Sequence, residues 1–122
     1  KGKVLQIKEI SKNEFIGYNQ TFKTNKKINV AIIGIGYADG ISRLLSNSGF
    51  VYYKNKKFKI LGRISMDTLT VNLNQNHNIL ARGDYVELIN YEHGIDEMAI
   101  RCKTISNEIL TSISNRVKRV YV

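Results

Sequence analysis

The chain has 122 residues, of which 43% are apolar, with a formal charge of +9 and one cysteine, Cys102. That length suits one compact domain over residues 1–122 and falls short of two. The apolar fraction excludes a disordered chain, no apolar run approaches the roughly 20 residues of a membrane-spanning helix, and a lone cysteine excludes an internal disulfide.

Lys1-Gly2-Lys3 leads directly into a strand-like segment, with no initiator methionine and no secretory leader, so the chain reads as if cut from something longer. Val4 to Ile10 is the first expected strand, Ser11 to Glu14 a turn, and Phe15 to Phe22 a second strand carrying Tyr18. Asn25 to Lys27 turns the chain into the β-branched run Ile28 to Ile35, the kind of segment that fills a sheet core. The run ends in Gly34-Ile35-Gly36-Tyr37-Ala38-Asp39-Gly40, where three glycines in seven residues imply backbone geometry or close approach that larger residues disfavour.

Gly49 to Tyr53 and Phe58 to Ile64 read as a hairpin joined at Asn55. Thr68 to Leu73 and Tyr85 to Ile89 are further strands, separated by the polar loop Asn74 to Asn78. Helical signals come late. Asp96 is a good N-cap with Glu97 in the first turn, and Met98, Ala99 and Cys102 form an apolar stripe. A second short helix is expected from about Ser106 to Ile113, and Val117, Val120 and Val122 suggest a closing strand. The sum is a mainly β domain, a barrel or sandwich with one or two short helices.

From the residues alone, little of this carries chemistry. His77 and His93 lie in polar loops without metal-ligand spacing, and solvated loop histidines are expected; no metal is implied. The glycines at 34, 36 and 40 do not have the spacing of a dinucleotide fingerprint. Asp39 and Asp67 adjoin turns, where an Asx-turn or a cap is the default role. Cys102 reads as a buried structural thiol, and thiol usage points to a cytoplasmic compartment. Lys23, Lys26, Lys27, Lys54, Lys56 and Lys57 cluster in turn-like stretches, which favours solvated hairpin ends over a nucleic-acid face.

Motifs go further. Ile35-Gly36-Tyr37-Ala38-Asp39-Gly40 resembles a signature of the alanine racemase C-terminal domain family, and Gly62-Arg63-Ile64-Ser65-Met66-Asp67 resembles its Gly-Arg-x-x-Met-Asp box. Upstream, Gly17-Tyr18-Asn19-Gln20-Thr21-Phe22 is similar to the family's Gly-Tyr-Gly-x-Thr-Tyr stretch. Downstream, Thr104-Ile105-Ser106-Asn107-Glu108-Ile109 and Arg116-Val117-Lys118-Arg119-Val120-Tyr121 are similar to its closing segments. The segments keep the family's order and span nearly the whole chain.

The resemblance implies a two-part enzyme using pyridoxal 5'-phosphate. An N-terminal α/β barrel, absent from this chain, holds the cofactor on a lysine, and a C-terminal β domain packs across it in a head-to-tail homodimer. It implies interconversion of L-alanine and D-alanine for the bacterial cell wall. Tyr18 would be one of two bases flanking the substrate α-carbon. Tyr37 would narrow the inner gate, the Met66 amide would meet the substrate carboxylate, and Arg43, Arg63 and Ile105 would line an access corridor. Asp67 would pair with a basic residue or cap the turn that aims Met66. The chain departs from the family at Asn107, where a tyrosine beside the cofactor phosphate is usual, so the pocket is expected to be larger, no longer strictly specific for alanine, and to reject serine less. Asn19, Phe22, Asn72 and Lys118 are further departures. Without its barrel the chain is expected to be inert.

Two other readings remain open. One is a basic β-barrel that binds nucleic acid, which would need exposed rings on adjacent strands; Tyr52 and Tyr53 are consecutive and so face opposite ways. The other is a racemase relative that has lost catalysis.

Overall fold

A computed structural model describes residues 1–16, 22–74 and 78–121. Six antiparallel strands form the main sheet: β1 (Gly2–Ile10), β4 (Ile28–Ile33), β5 (Phe50–Tyr53), β6 (Lys56–Leu61), β7 (Leu69–Asn72) and β8 (Tyr85–Val86), in the order β5-β6-β7-β4-β1-β8. The edges nearly meet. Tyr52 of β5 exchanges two backbone bonds of 2.8 Å with Glu87, just beyond β8, so the sheet curls into an almost closed barrel. This closure protects edges that would otherwise offer unpaired backbone groups.

Register follows from what each strand buries. Phe58 and Ile60 of β6, Val71 of β7, Ile33 of β4, Val4 of β1 and Val51 of β5 are fully buried in one core, joined by Leu45 and Ile64. The central strand β4 is apolar on both faces because Val30 enters a second, smaller cluster with Ile10, Ile16 and Leu61. The β5–β6 hairpin turns at Lys54 and Asn55, with φ of 47° and 63°. Positive φ at both positions gives a two-residue turn whose twist matches its strands. The lysines crowded there, Lys54, Lys56 and Lys57, are exposed, as are Lys23, Lys26 and Lys27.

Several expected boundaries move. Of the expected strand Phe15 to Phe22, residues 17–21 lie outside the described residues; at its ends β2 (Phe15–Ile16) and β3 (Phe22–Lys23) pair with each other, Phe15 opposite Lys23 and Ile16 opposite Phe22. Thr24 anchors the base of this pair. It is buried, its hydroxyl donates to the Ser11 carbonyl at 2.6 Å, and that hydroxyl accepts the Glu14 N–H at 2.9 Å. Helix α1 (Ile95–Arg101) is capped at Gly94, two residues before the expected cap Asp96, and Asp96 instead accepts a hydrogen bond from Ser106 at the start of α2 (Ser106–Ser112). The expected closing strand is absent among the described residues. Val120 and Tyr121 are exposed, and the tail is held by Arg119, whose guanidinium donates to the carbonyls of Ile113, Ser114 and Val117. An arginine that satisfies three carbonyls removes the need for a sheet partner.

Candidate functional site

Gly36 begins the site because it permits contact between two loops. A Cβ there would lie 2.3 Å from the Ser65 carbonyl oxygen and 2.5 Å from that of Met66. With hydrogen in its place, Tyr37 N–H donates to Ser65 and Ala38 N–H to Met66, each at 3.0 Å. The Tyr37 loop and the Met66 turn are thereby locked side by side. Gly40 does the same for the next contact. Its φ of 102° favours glycine, and a Cβ would lie 2.3 Å from the Ser112 carbonyl oxygen at the end of α2. Ser112 Oγ donates back to the Gly40 carbonyl at 3.2 Å.

The Met66 turn is itself fixed. Ser65 N–H donates to the Thr68 carbonyl at 3.0 Å, and Thr68 N–H to Ser65 Oγ at 3.1 Å. The Met66 N–H takes no part in these bonds. Met66 stays 52% exposed and Tyr37 41%. The Arg43 guanidinium lies 5.8 Å from the centre of the Tyr37 ring, in cation–π range.

Charge joins the same loops. Asp39 is buried, and its carboxylate accepts the Gly36 N–H at 2.9 Å. Arg116 reaches both acids: its Nη2 is 2.7 Å from Asp67 Oδ1 and its Nε 3.4 Å from Asp39 Oδ1. Asp67 first, then Asp39, holds the guanidinium in its charged form beyond the ordinary value. Asp67, expected either to pair with a basic residue or to cap the turn, pairs with Arg116, a residue to which the sequence alone assigns no role. Its signal was there: two aspartates beside turns, and an arginine in the closing segment.

The remaining site residues are scattered more widely. Ile105 is 67% exposed at the start of α2, and Asn107 is exposed in its first turn. A cleft of about 330 Å³ runs between Tyr37 and α2, lined by Ser42, Leu44, Thr104 and Glu108 among others. Arg63 is exposed, three residues before Met66. Tyr18 and His77 lie outside the described residues.

Three other groups differ in interest. His93 is not a solvated loop residue: its ring stacks on Tyr52 at 4.0 Å and 7°, and Nδ1 is 2.9 Å from Glu97. Tyr52, only 8% exposed, lies beneath it and offers no stacking platform for bases. Burial pushes the Cys102 thiol above its ordinary range, so it stays protonated, as a packing residue does. Among the described residues no cluster of three or more His, Cys, Asp or Glu could hold a metal, and no helix is long and apolar enough to cross a membrane.

The family described as alanine racemase, C-terminal domain, matches residues 1–121. The chain is 42% identical over 117 residues to an alanine racemase of Acidiphilium cryptum, covering 96% of this chain and 32% of that one. It is 38% identical over 121 residues to an alanine racemase of Brucella ovis, covering 98% and 31%. In three dimensions it is similar to alanine racemase from Bartonella henselae, crystallised with covalently bound pyridoxal phosphate. That likeness has a TM-score of 0.94 and 41% identity, over 98% of this chain and 33% of the other. The chain therefore spans about a third of the length of these relatives. The match runs from the first strand to the closing tail and extends to the fold, so the chain belongs to the alanine racemase C-terminal domain family.

Proposed function

We propose that this chain is the C-terminal part of an alanine racemase dependent on pyridoxal 5'-phosphate, one that interconverts L- and D-alanine, also accepts serine, and supplies D-alanine for the cell wall. The observation that carries this reading is the lock between the Tyr37 loop and the Met66 turn. It exposes two of the residues that the family places at its substrate, on a rigid base.

The residues present fit one wall of a cofactor site. Met66 offers a backbone N–H on a fixed, exposed turn, and Asn107 offers an exposed amide. The cofactor's lysine would come from the N-terminal barrel, which this chain does not match. When bound, pyridoxal phosphate draws electron density from the α-carbon of an amino acid and so makes its hydrogen acidic.

The chain's own residues then have separate tasks. Tyr18 exchanges a proton with one face of the α-carbon, while a lysine of the barrel serves the other; inversion needs a base on each side. A tyrosine with the ordinary pKa of about 10 is a poor base at neutral pH, so groups of the barrel must tune it. The Met66 N–H binds the substrate carboxylate at no cost in side-chain ordering. Tyr37 narrows the approach, and Arg43, Arg63 and Ile105 line a corridor whose positive charge draws in a carboxylate. Asn107 donates to the cofactor phosphate. The whole enzyme is a cytoplasmic head-to-tail homodimer, which places the Met66 turn of one subunit against the barrel of the other.

The test compares the isolated chain with the full-length protein, each supplied with pyridoxal phosphate and L-alanine, and follows D-alanine formation. The isolated chain should be inert and the full-length protein active. Racemisation by the chain alone, or none by the full-length protein, contradicts the proposal.

A further inference from the structure

We propose that Arg116 is a positioning residue for this site: it fixes the turn that presents the Met66 N–H and neutralises the acids beside it. The inference rests on the racemase reading. Its basis is the reach of one guanidinium across three segments. Arg116 leaves the tail just after Ser114, whose N–H donates to the Asp39 carbonyl at 3.2 Å and whose hydroxyl accepts the Arg116 N–H at 3.3 Å. From there Nη2 meets Asp67 and Nε faces Asp39.

Holding the tail is not its task, because Arg119 already does that through the carbonyls of Ile113, Ser114 and Val117. What Arg116 adds lies at the turn. Met66 is tied on one side, its carbonyl accepting from Ala38. Asp67 follows directly, and its tie is the bond to Arg116. Without the guanidinium, the turn keeps its Ser65–Thr68 bonds but loses the one that ties Asp67 to the tail. A second effect is electrostatic. Asp67, which directly follows Met66, would then carry an unpaired negative charge beside the N–H that must receive a carboxylate, and Asp39 would keep only its bond from the Gly36 N–H. An anion approaching such a turn meets repulsion where the native protein offers none.

Both effects fall on substrate binding more than on the proton transfers. In the full-length enzyme, Arg116→Met should raise KM for alanine about three- to tenfold and change kcat by less than about twofold, the pattern of lost binding. Arg116→Lys, which keeps the charge but not the two-pronged reach, should recover part of the loss. About 0.5 M KCl should narrow the gap between Arg116→Met and wild type, since salt screens exposed charges. Adding Asp67→Asn to Arg116→Met should lower KM again by removing the repelling acid. A purely structural role predicts none of the last two effects. Thermal unfolding of each variant accounts for any loss of folded protein.

An unchanged KM in Arg116→Met, or kcat falling in step with the folded fraction at constant KM, overturns the proposal. So does a KM defect indifferent to both salt and Asp67→Asn. A wild-type enzyme without racemase activity is a different failure: it removes the functional reading first and this inference with it.

Discussion

Replacing Gly36 by alanine tests the lock on which the site is built. The backbone itself does not object, since φ at Gly36 is −151°, extended geometry open to any residue. The cost is steric. The new methyl would lie 2.3 Å from the Ser65 oxygen and 2.5 Å from the Met66 oxygen, both backbone atoms that no rotamer change can move. Ordinary contact requires the loops to part by about an ångström, and the 3.0 Å bonds from Tyr37 and Ala38 then fail. Two lost hydrogen bonds contribute about 1 kcal/mol each, and overpacking about 1–3 kcal/mol more. Partial relaxation leaves about 2–4 kcal/mol, or a fall in Tm of about 10 °C for a domain of this size. The control is Gly94→Ala, where an added Cβ meets nothing within 4 Å; it should cost less than about 1 kcal/mol. Urea unfolding of the 122-residue chain measures both through the midpoint at constant slope. Equal midpoints for Gly36→Ala and wild type would refute the argument, because the two loops could not then be in contact.

Asn107→Tyr in the full-length protein should raise the ratio of kcat/KM for alanine over serine by about ten- to a hundredfold, since the ring refills space and removes a polar partner for a hydroxyl; an unchanged ratio means that this position does not set the substrate range. Acid should weaken the fold partly through Glu97. Its carboxyl is held below the ordinary value of 4.5, first by the hydrogen bond from His93 and further by Arg101. A depressed folded pKa gives stability that is present above 4.5 and lost as pH falls through the lower folded value. The group is exposed, so the effect is small. Glu97→Gln should flatten the pH dependence of urea unfolding below that point, and an identical slope in variant and wild type would remove Glu97 from the account.

The strands were legible wherever burial dictates pattern. Ile28 to Ile33 is continuous and apolar because β4 lies between two clusters, and the hairpin at Asn55 follows from residues that tolerate positive φ. Boundaries failed where side chains outside the pattern took over. Val117 to Val122 alternates like a strand, yet Arg119 supplies the bonds that a sheet would have supplied, and no periodicity encodes that. Asp96 has the chemistry of a cap, but Ser106, ten residues on, claims its carboxylate. The site was legible only as motifs. Composition cannot say that Gly36 admits the Met66 turn or that Arg116 spans Asp39 and Asp67, because each contact joins residues about 30 to 80 positions apart in the chain. The packing of His93 is hidden from its loop sequence for the same reason: its stacking partner Tyr52 is remote in the chain.

If this chain brings one of two bases to a racemase site, Tyr18→Phe in the full-length protein should reveal it. The full-length variant is incubated in deuterium oxide with pyridoxal phosphate and each enantiomer of alanine in turn, and both interconversion and α-hydrogen exchange are followed. Interconversion should be lost while cofactor binding persists, and exchange should survive for one enantiomer alone, through the lysine of the barrel. Interconversion of both enantiomers at near wild-type rate would contradict the role of Tyr18 as a base.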